Sequence, residues 1–144
     1  MLAPGSDGGR WKVKQGAEIT GYVLDVKVGG IETTNCGARA GEQRDSHIEL
    51  VLDPLGGCHY AASHRRGHPS LASNDGPQGL DWSTPALRDR PLGRWIKVKG
   101  WMLYDVEQQY ESENTAPGRE RNWRATAWEV QPVTSIEVVQ RPAE

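Results

Sequence analysis

Apolar and polar residues alternate along Ala17–Val28 (AEITGYVLDVKV), and the alternation changes phase part-way. Ile19, Gly21 and Val23 hold one face, and Leu24, Val26 and Val28 continue in the opposite phase. A phase slip inside one strand is what a β-bulge produces. A long, bent first strand suits a small barrel that has to turn a corner. Gly29–Asp45 is rich in Gly, Thr, Asn and charge and reads as a long loop. Ser46–Asp53 (SHIELVLD) is a second strand, with Ile48, Leu50 and Leu52 on one face and His47, Glu49 and Val51 on the other. Pro54–Gly57 is a turn, and Cys58–Ser63 returns as a third strand in a hairpin with the second.

The stretch His64–Gly93 is irregular apart from one short helix. Ser83 or Thr84 caps it, Pro85 suits its first turn, Ala86–Arg90 follow, and Pro91 stops it. Arg94–Asp105 (RWIKVKGWMLYD) is the clearest strand. Ile96, Val98, Gly100, Met102 and Tyr104 share one face, and Trp95, Lys97, Lys99, Trp101 and Leu103 share the other. Val106–Asn122 is a second long polar loop, and Trp123–Val139 closes the chain as a fifth strand broken at Pro132. The fold class is therefore mainly β: a five-stranded OB-type Greek-key barrel with one short helix between the third and fourth strands. An SH3-like barrel or a small β-sandwich is the alternative. The barrel spans 17–139, with a flexible leader at 1–16 and a tail at 140–144.

Composition fits this pattern. The 144 residues include 17 Gly and 9 Pro, too many for a helical bundle, and six Trp and four Tyr supply the bulk that Phe, absent here, would give. The leader MLAPGSDGGR has neither a basic n-region nor an apolar h-region. As written the chain reads as cytoplasmic, or as exported if a signal peptide was removed. No apolar stretch is long enough to cross a bilayer as a helix. Cys36 and Cys58 lack zinc-site spacing, and both free thiols and one disulfide remain open.

The formal net charge of −2 argues against tight, non-specific binding to phosphates. Local candidates exist nonetheless, because single strands are held by aromatic platforms beside a basic groove. Trp101 with Lys97 and Lys99 is the first, and Trp123 between Arg121 and Arg124 is the second. Arg39 and Arg44 lie in the first long loop. Against them, the second loop carries Glu107, Glu111, Glu113 and Glu120 with only Arg119 and Arg121. Trp101 can equally pack with lysine stems across it, and Trp128 reads as core.

Three segments, RDSHIELVLDP, KVKGWMLYD and WRATAWEVQPVTSIEV, resemble a family of bacterial proteins described as OB-like and nucleic-acid-binding. The resemblance runs from about Gly21 to Val138 and is sharpest around Trp128, Glu129, Pro132, Val133 and Thr134. It implies an OB-like fold and single-stranded nucleic acid as a partner. The family pattern carries His where this chain has Gln131, and another near Gln108. Both departures weaken any function that would rely on those imidazoles.

Metal chemistry has one candidate set. His47 and Glu49 leave the same strand face, and Glu129 would join them if the fifth strand lies nearby. No cofactor is otherwise implied, and a divalent metal is the one alternative. No nucleophile elbow, phosphate loop, zincin or dinucleotide motif is present. Cys58 and His59 are strand neighbours and point to opposite faces, so they do not form a nucleophile–base pair. Asp25, Glu49, Asp105 and Glu129 with Arg124 could be drawn as a hydrolytic cluster. Loops rich in Asn, Gln, Tyr and Trp suit sugars or proteins, with Tyr110, Asn114, Asn122 and Trp123 as contacts. The chain thus reads as a non-enzymatic OB-type binding module. Single-stranded nucleic acid leads, on fold and resemblance more than on charge. A protein- or glycan-binding module is the alternative, and a divalent-metal-dependent hydrolase is third.

Overall fold

Strand β1 (Gly16–Val28) carries the expected slip. A computed structural model describes residues 8–31, 37–54, 59–64, 81–120 and 122–143, and of 59–64 only the backbone path. The register of β1 on β2 (Ser46–Val51) shifts between Val23 and Asp25. Val23 and Val26 are both fully buried, while Leu24 between them is turned out. The extra residue bends the strand, so its first half pairs with β4 (Trp95–Tyr104) and its second half with β2.

The sheet is antiparallel along β3 (His59–His64), β2, β1, β4 and β5 (Trp128–Val139), and it curls. The order around the barrel is β1-β2-β3-β5-β4, with β3 meeting β5 at one parallel pair, Ala62 with Val130. The architecture is mainly β and barrel-like, with one short helix. Inward residues of β1, β2, β4 and β5 form the core, among them Val23, Ile48, Leu50, Ile96, Val98 and Val130. Trp128 is core as expected, meeting Tyr104 and Trp11 edge-on at 5.2 and 5.6 Å. Trp11 falls within the expected leader. It is brought there by a turn at Lys14, whose N–H donates to the Met102 carbonyl at 2.9 Å.

Helix α1 (Thr84–Asp89) forms for the local reasons its sequence gives. The Ser83 hydroxyl accepts from the Ala86 N–H, and proline stands in the first turn. Leu87 and Trp82 reach the core, Thr84 and Ser46 share a buried hydroxyl–hydroxyl hydrogen bond, and Arg88 Nε donates to the Val26 carbonyl at 2.7 Å. The helix is thereby fixed to β1 and β2.

Two strand readings need correction. β5 is shorter at its start than Trp123–Val139 and runs on past Pro132. Its register on β4 shifts there: Gly100 pairs with Val133 and Met102 with Val130, so Gln131 and Pro132 lie opposite the single residue Trp101. At such a bulge no ladder hydrogen bond is asked of proline. A Cβ at Gly100 would collide with the Pro132 carbonyl and lie 2.6 Å from Val130 Cγ1, so only glycine lets β5 cross so closely. In β2, both faces are covered. Ile48 and Leu50 are buried, but so are Val51 and Glu49, and Leu52 lies past the strand end and is exposed. The Glu49 carboxylate is ion-paired with Lys27 of β1, so burial here does not follow hydrophobicity. The turn at Pro54–Gly57 lies largely outside the described residues, as do Cys36, Cys58 and His68.

Candidate ligand-binding cleft

Where the two long loops leave the barrel, they enclose an open cleft of about 420 Å³. Ile31 and Asp45 come from the β1–β2 loop and His47 from β2. Leu103 and Tyr104 end β4, and Asp105, Gln108, Trp123 and Arg124 come from the β4–β5 loop. Glu129 and Gln131 project from β5.

The β4–β5 loop, read from sequence as a long polar loop over Val106–Asn122, is built on its own hydrogen bonds. A 3-10 turn spans Glu107–Tyr110, started by Asp105, whose Oδ1 accepts from the backbone N–H groups of Glu107 and Gln108 at 3.0 and 3.3 Å. The chain then doubles back, with Ser112 bridging to Arg124 and the Glu113 and Asn114 N–H groups donating to the carbonyls of Arg124 and Ala125. Asn122 Nδ2 donates to Glu113 Oε2 and to the Ala116 carbonyl, both at 2.6 Å. Together with the Gly118 N–H, that contact lowers the Glu113 pKa from its usual 4.5, with Asn122 the larger cause.

This reversal seats Arg124 at the bottom of the cleft, with its side chain 1 % exposed. Its Nη2 donates to Glu129 Oε1 at 2.8 Å, its Nε to the Thr126 carbonyl at 2.8 Å, and its Nη1 lies 3.9 Å from Asp105 Oδ2. Glu129 is held between opposed effects. Burial raises its pKa above 4.5 and wins, while the charge and hydrogen bond of Arg124 pull it down; Asp105 pushes it further up and His47 down. Opposite, His47 Nε2 lies 3.3 Å from Oδ2 of buried Asp45. Gly29 is packed against that pair: a Cβ there would collide with Asp45 Oδ1 and come within 3.0 Å of His47 Nε2. Trp123 forms a fixed wall. Its Nε1–H donates to Glu111 Oε2 at 2.7 Å, and Lys27 Nζ and Arg124 Cζ lie 5.0 and 5.1 Å from its ring centroid.

The candidate residues read from sequence scatter over three places. Trp101, Lys97 and Lys99 do share the outer face of β4, with Trp101 47 % exposed. Both lysine amines there lie on Glu18 of β1, at 3.7 and 3.3 Å. Trp123 and Arg124 are in the cleft. Arg44 donates to the Gly29 carbonyl, Arg39 is exposed on the first loop, and Arg121 lies outside the described residues. Of the metal candidates, His47 and Glu129 face the cleft, but Glu49 is taken by Lys27 and is not part of its lining. Among the described residues no three His, Cys, Asp or Glu side chains are grouped to hold a metal ion. Likewise, no helix among them is long and apolar enough to cross a membrane.

Sequence reading missed Asp45 and Gln108 as cleft residues and weighed Gln131 only as a neutral substitute for a metal ligand beside Glu129. Comparison with known proteins gave no match: no family model, no curated protein and no solved structure matches this chain.

Proposed function

We propose that the chain is a non-enzymatic OB-type binding module that takes a polar, uncharged ligand in the cleft between its β1–β2 and β4–β5 loops. The supporting architecture is the curled sheet, the short helix between β3 and β4, and a cleft flanked by the two loops with which OB barrels bind their ligands. One observation carries the choice of ligand. The cations beside the two tryptophans already face carboxylates of the chain: Lys27 on Glu49 and Arg124 on Glu129 near Trp123, and Lys97 and Lys99 on Glu18 near Trp101. A polyanion would have to displace those partners, and Asp105 and Glu107 at the cleft would repel it. This moves the balance from a single-stranded nucleic acid towards a protein segment or a glycan.

Tryptophan fluorescence tests the choice. Titration with a short single-stranded oligonucleotide is expected to leave emission unchanged at low and at physiological ionic strength. Quenching that is strong at low salt, fades as salt rises and disappears in Trp101→Ala would overturn the cleft reading in favour of phosphate binding on the outer face of β4.

A further inference from the structure

We infer that the second half of β5 is an interface between two copies of this chain, which pair edge to edge and antiparallel about Val138. The site lies apart from the cleft, whose lining takes Glu129 and Gln131 from β5 and no residue after Pro132.

The edge is open. Among the described residues, β5 meets β3 at one pair, Ala62 with Val130, ahead of the bulge at Pro132. Beyond the bulge it pairs with β4 alone. The ladder shows which backbone groups are left over. The Met102 N–H donates to the Gln15 carbonyl at 2.8 Å, the Met102 carbonyl accepts from Lys14 at 2.9 Å, and the Arg94 carbonyl accepts from Val23 at 2.9 Å. The even-numbered residues of β4 therefore turn their N–H and C=O groups to β1. The odd-numbered residues Trp95 and Lys97 serve β5, where they pair with Val139 and Glu137. Ile136 and Val138 then turn theirs away from β4, and Gln140 is next in the alternation. No backbone group among the described residues meets them.

The side chains agree. Val138 shares the inner row with its β4 partner Ile96, which is fully buried, yet Val138 is 48 % exposed because no strand flanks it among the described residues. Val133–Val139 (VTSIEVV) is rich in β-branched residues and holds one charge, no lysine and no proline. It lacks the residues that usually keep an open edge from pairing.

Charge along the outer face selects a second copy as the occupant. Glu137 and Arg141 stand on either side of Val139, with the Arg141 guanidinium 6.0 Å from the ring centroid of Trp95. A two-fold axis through Val138 sets that residue against itself and Ile136 against Gln140, so the outward-facing groups of the two strands match pair by pair. Glu137 of each copy then lies diagonally opposite Arg141 of the other, an attraction made twice. Moving the axis to Glu137 would set that carboxylate against itself. Moving it to Ile136 would set Val138 against Thr134, where the register of β5 on β4 shifts again.

The test is sedimentation velocity of the full chain from ~1 μM to ~1 mM. A contact of one strand pair is small and small interfaces are weak, so the expected result is a reversible monomer–dimer equilibrium within that range. Val138→Lys puts two ammonium groups at the axis. Val138→Pro removes the outward N–H and leaves the bonds of Glu137 and Val139 to β4 in place. Each should weaken the dimer by more than about tenfold. Glu137→Arg and Arg141→Glu should each weaken it by roughly three- to tenfold, and the two together should restore it. Trp101→Ala, on the outer face of β4, should leave the equilibrium unchanged, and circular dichroism confirms that each variant is folded. A chain that is monomeric at every concentration would overturn the proposal. Binding of the peptide SIEVVQR by that monomer would then assign the edge to an extended strand of another protein. A dimer indifferent to both Val138 substitutions would overturn the edge as its interface, and failure of the charge swap to restore it would overturn the axis at Val138.

Discussion

The outer face of β4 and the inter-loop cleft both combine tryptophan, cations and carboxylates, yet they differ in what surrounds the charges. On β4, Lys97, Lys99, Glu18 and Trp101 stand in solvent, where ion pairs are screened and exchange with water at little cost. In the cleft, Arg124, Glu129 and Asp45 are almost wholly buried, so each partner is needed to offset the desolvation of the other. The same residue types therefore make a tolerant surface in one place and a rigid, preset lining in the other. On the proposed binding role, only the second is preset enough to discriminate among ligands.

The sharpest way to break that contrast is Arg124→Ala. It removes the guanidinium that pairs with Glu129 and the Nε–H that donates to the Thr126 carbonyl. We expect a loss of about 3–5 kcal/mol in urea unfolding. The loss should depend on pH. Glu129 has its pKa raised above 4.5 in the folded chain, so between 4.5 and that raised value the native state holds more proton than the unfolded one. Its contribution is most favourable below 4.5 and declines as pH rises through the native pKa. Without Arg124 the native pKa moves higher still, so the variant should lose more at neutral pH than below 4.5. Glu129→Gln should flatten this pH dependence. An Arg124→Ala loss that is small and independent of pH would show that the cleft charges are as tolerant as those on β4.

Gly29→Ala probes the opposite wall. Its Cβ would meet the Asp45 carboxylate, with Cγ at 2.9 Å, and His47 Nε2 at 3.0 Å, and Asp45 is 2 % exposed and has little room to retreat. Overpacking of this kind costs roughly 1–3 kcal/mol. A lowered thermal midpoint together with a shifted His47 ring resonance is the expected signature. An unchanged ring resonance would mean that the Asp45–His47 pair does not set this wall.

How far the sequence discloses these two regions follows from the range of the interactions involved. The β4 face was legible because one-sided burial imposes strict alternation: Ile96, Val98 and Met102 point in, and Lys97, Lys99 and Trp101 point out. The cap at Ser83 and the slip near Val23 are equally local. The cleft was not legible in this way. Beside it, Glu49 keeps its place in the alternation but is buried, paired with Lys27 on another strand, which no period reports. Arg124 reads as a basic flank of Trp123, or as the basic member of a cluster with Asp105 and Glu129, and its burial shows only once the Ser112–Arg124 bridge folds the loop back and turns the guanidinium inward. Asp45 and Gln108 sit in segments whose composition signals only a loop. The turns that aim them at one space are set by backbone hydrogen bonds that no periodicity reports.

The smallest expected effect completes the contrast from the solvent side. Lys97→Ala and Lys99→Ala, alone or together, should change unfolding free energy by less than about 0.5 kcal/mol each. A double-mutant cycle with Glu18→Ala should return a coupling within that same bound and shrinking with salt. Measured by urea unfolding beside Arg124→Ala, this cycle sets exposed pairing against buried pairing, because both regions join one charged group to two of the opposite sign. A coupling on β4 comparable to the loss at Arg124 would mean that the outer face is held as rigidly as the cleft. Glu18 would then be a fixed partner of both lysines, and a phosphate strand would meet a preset surface there instead of side chains free to turn toward it.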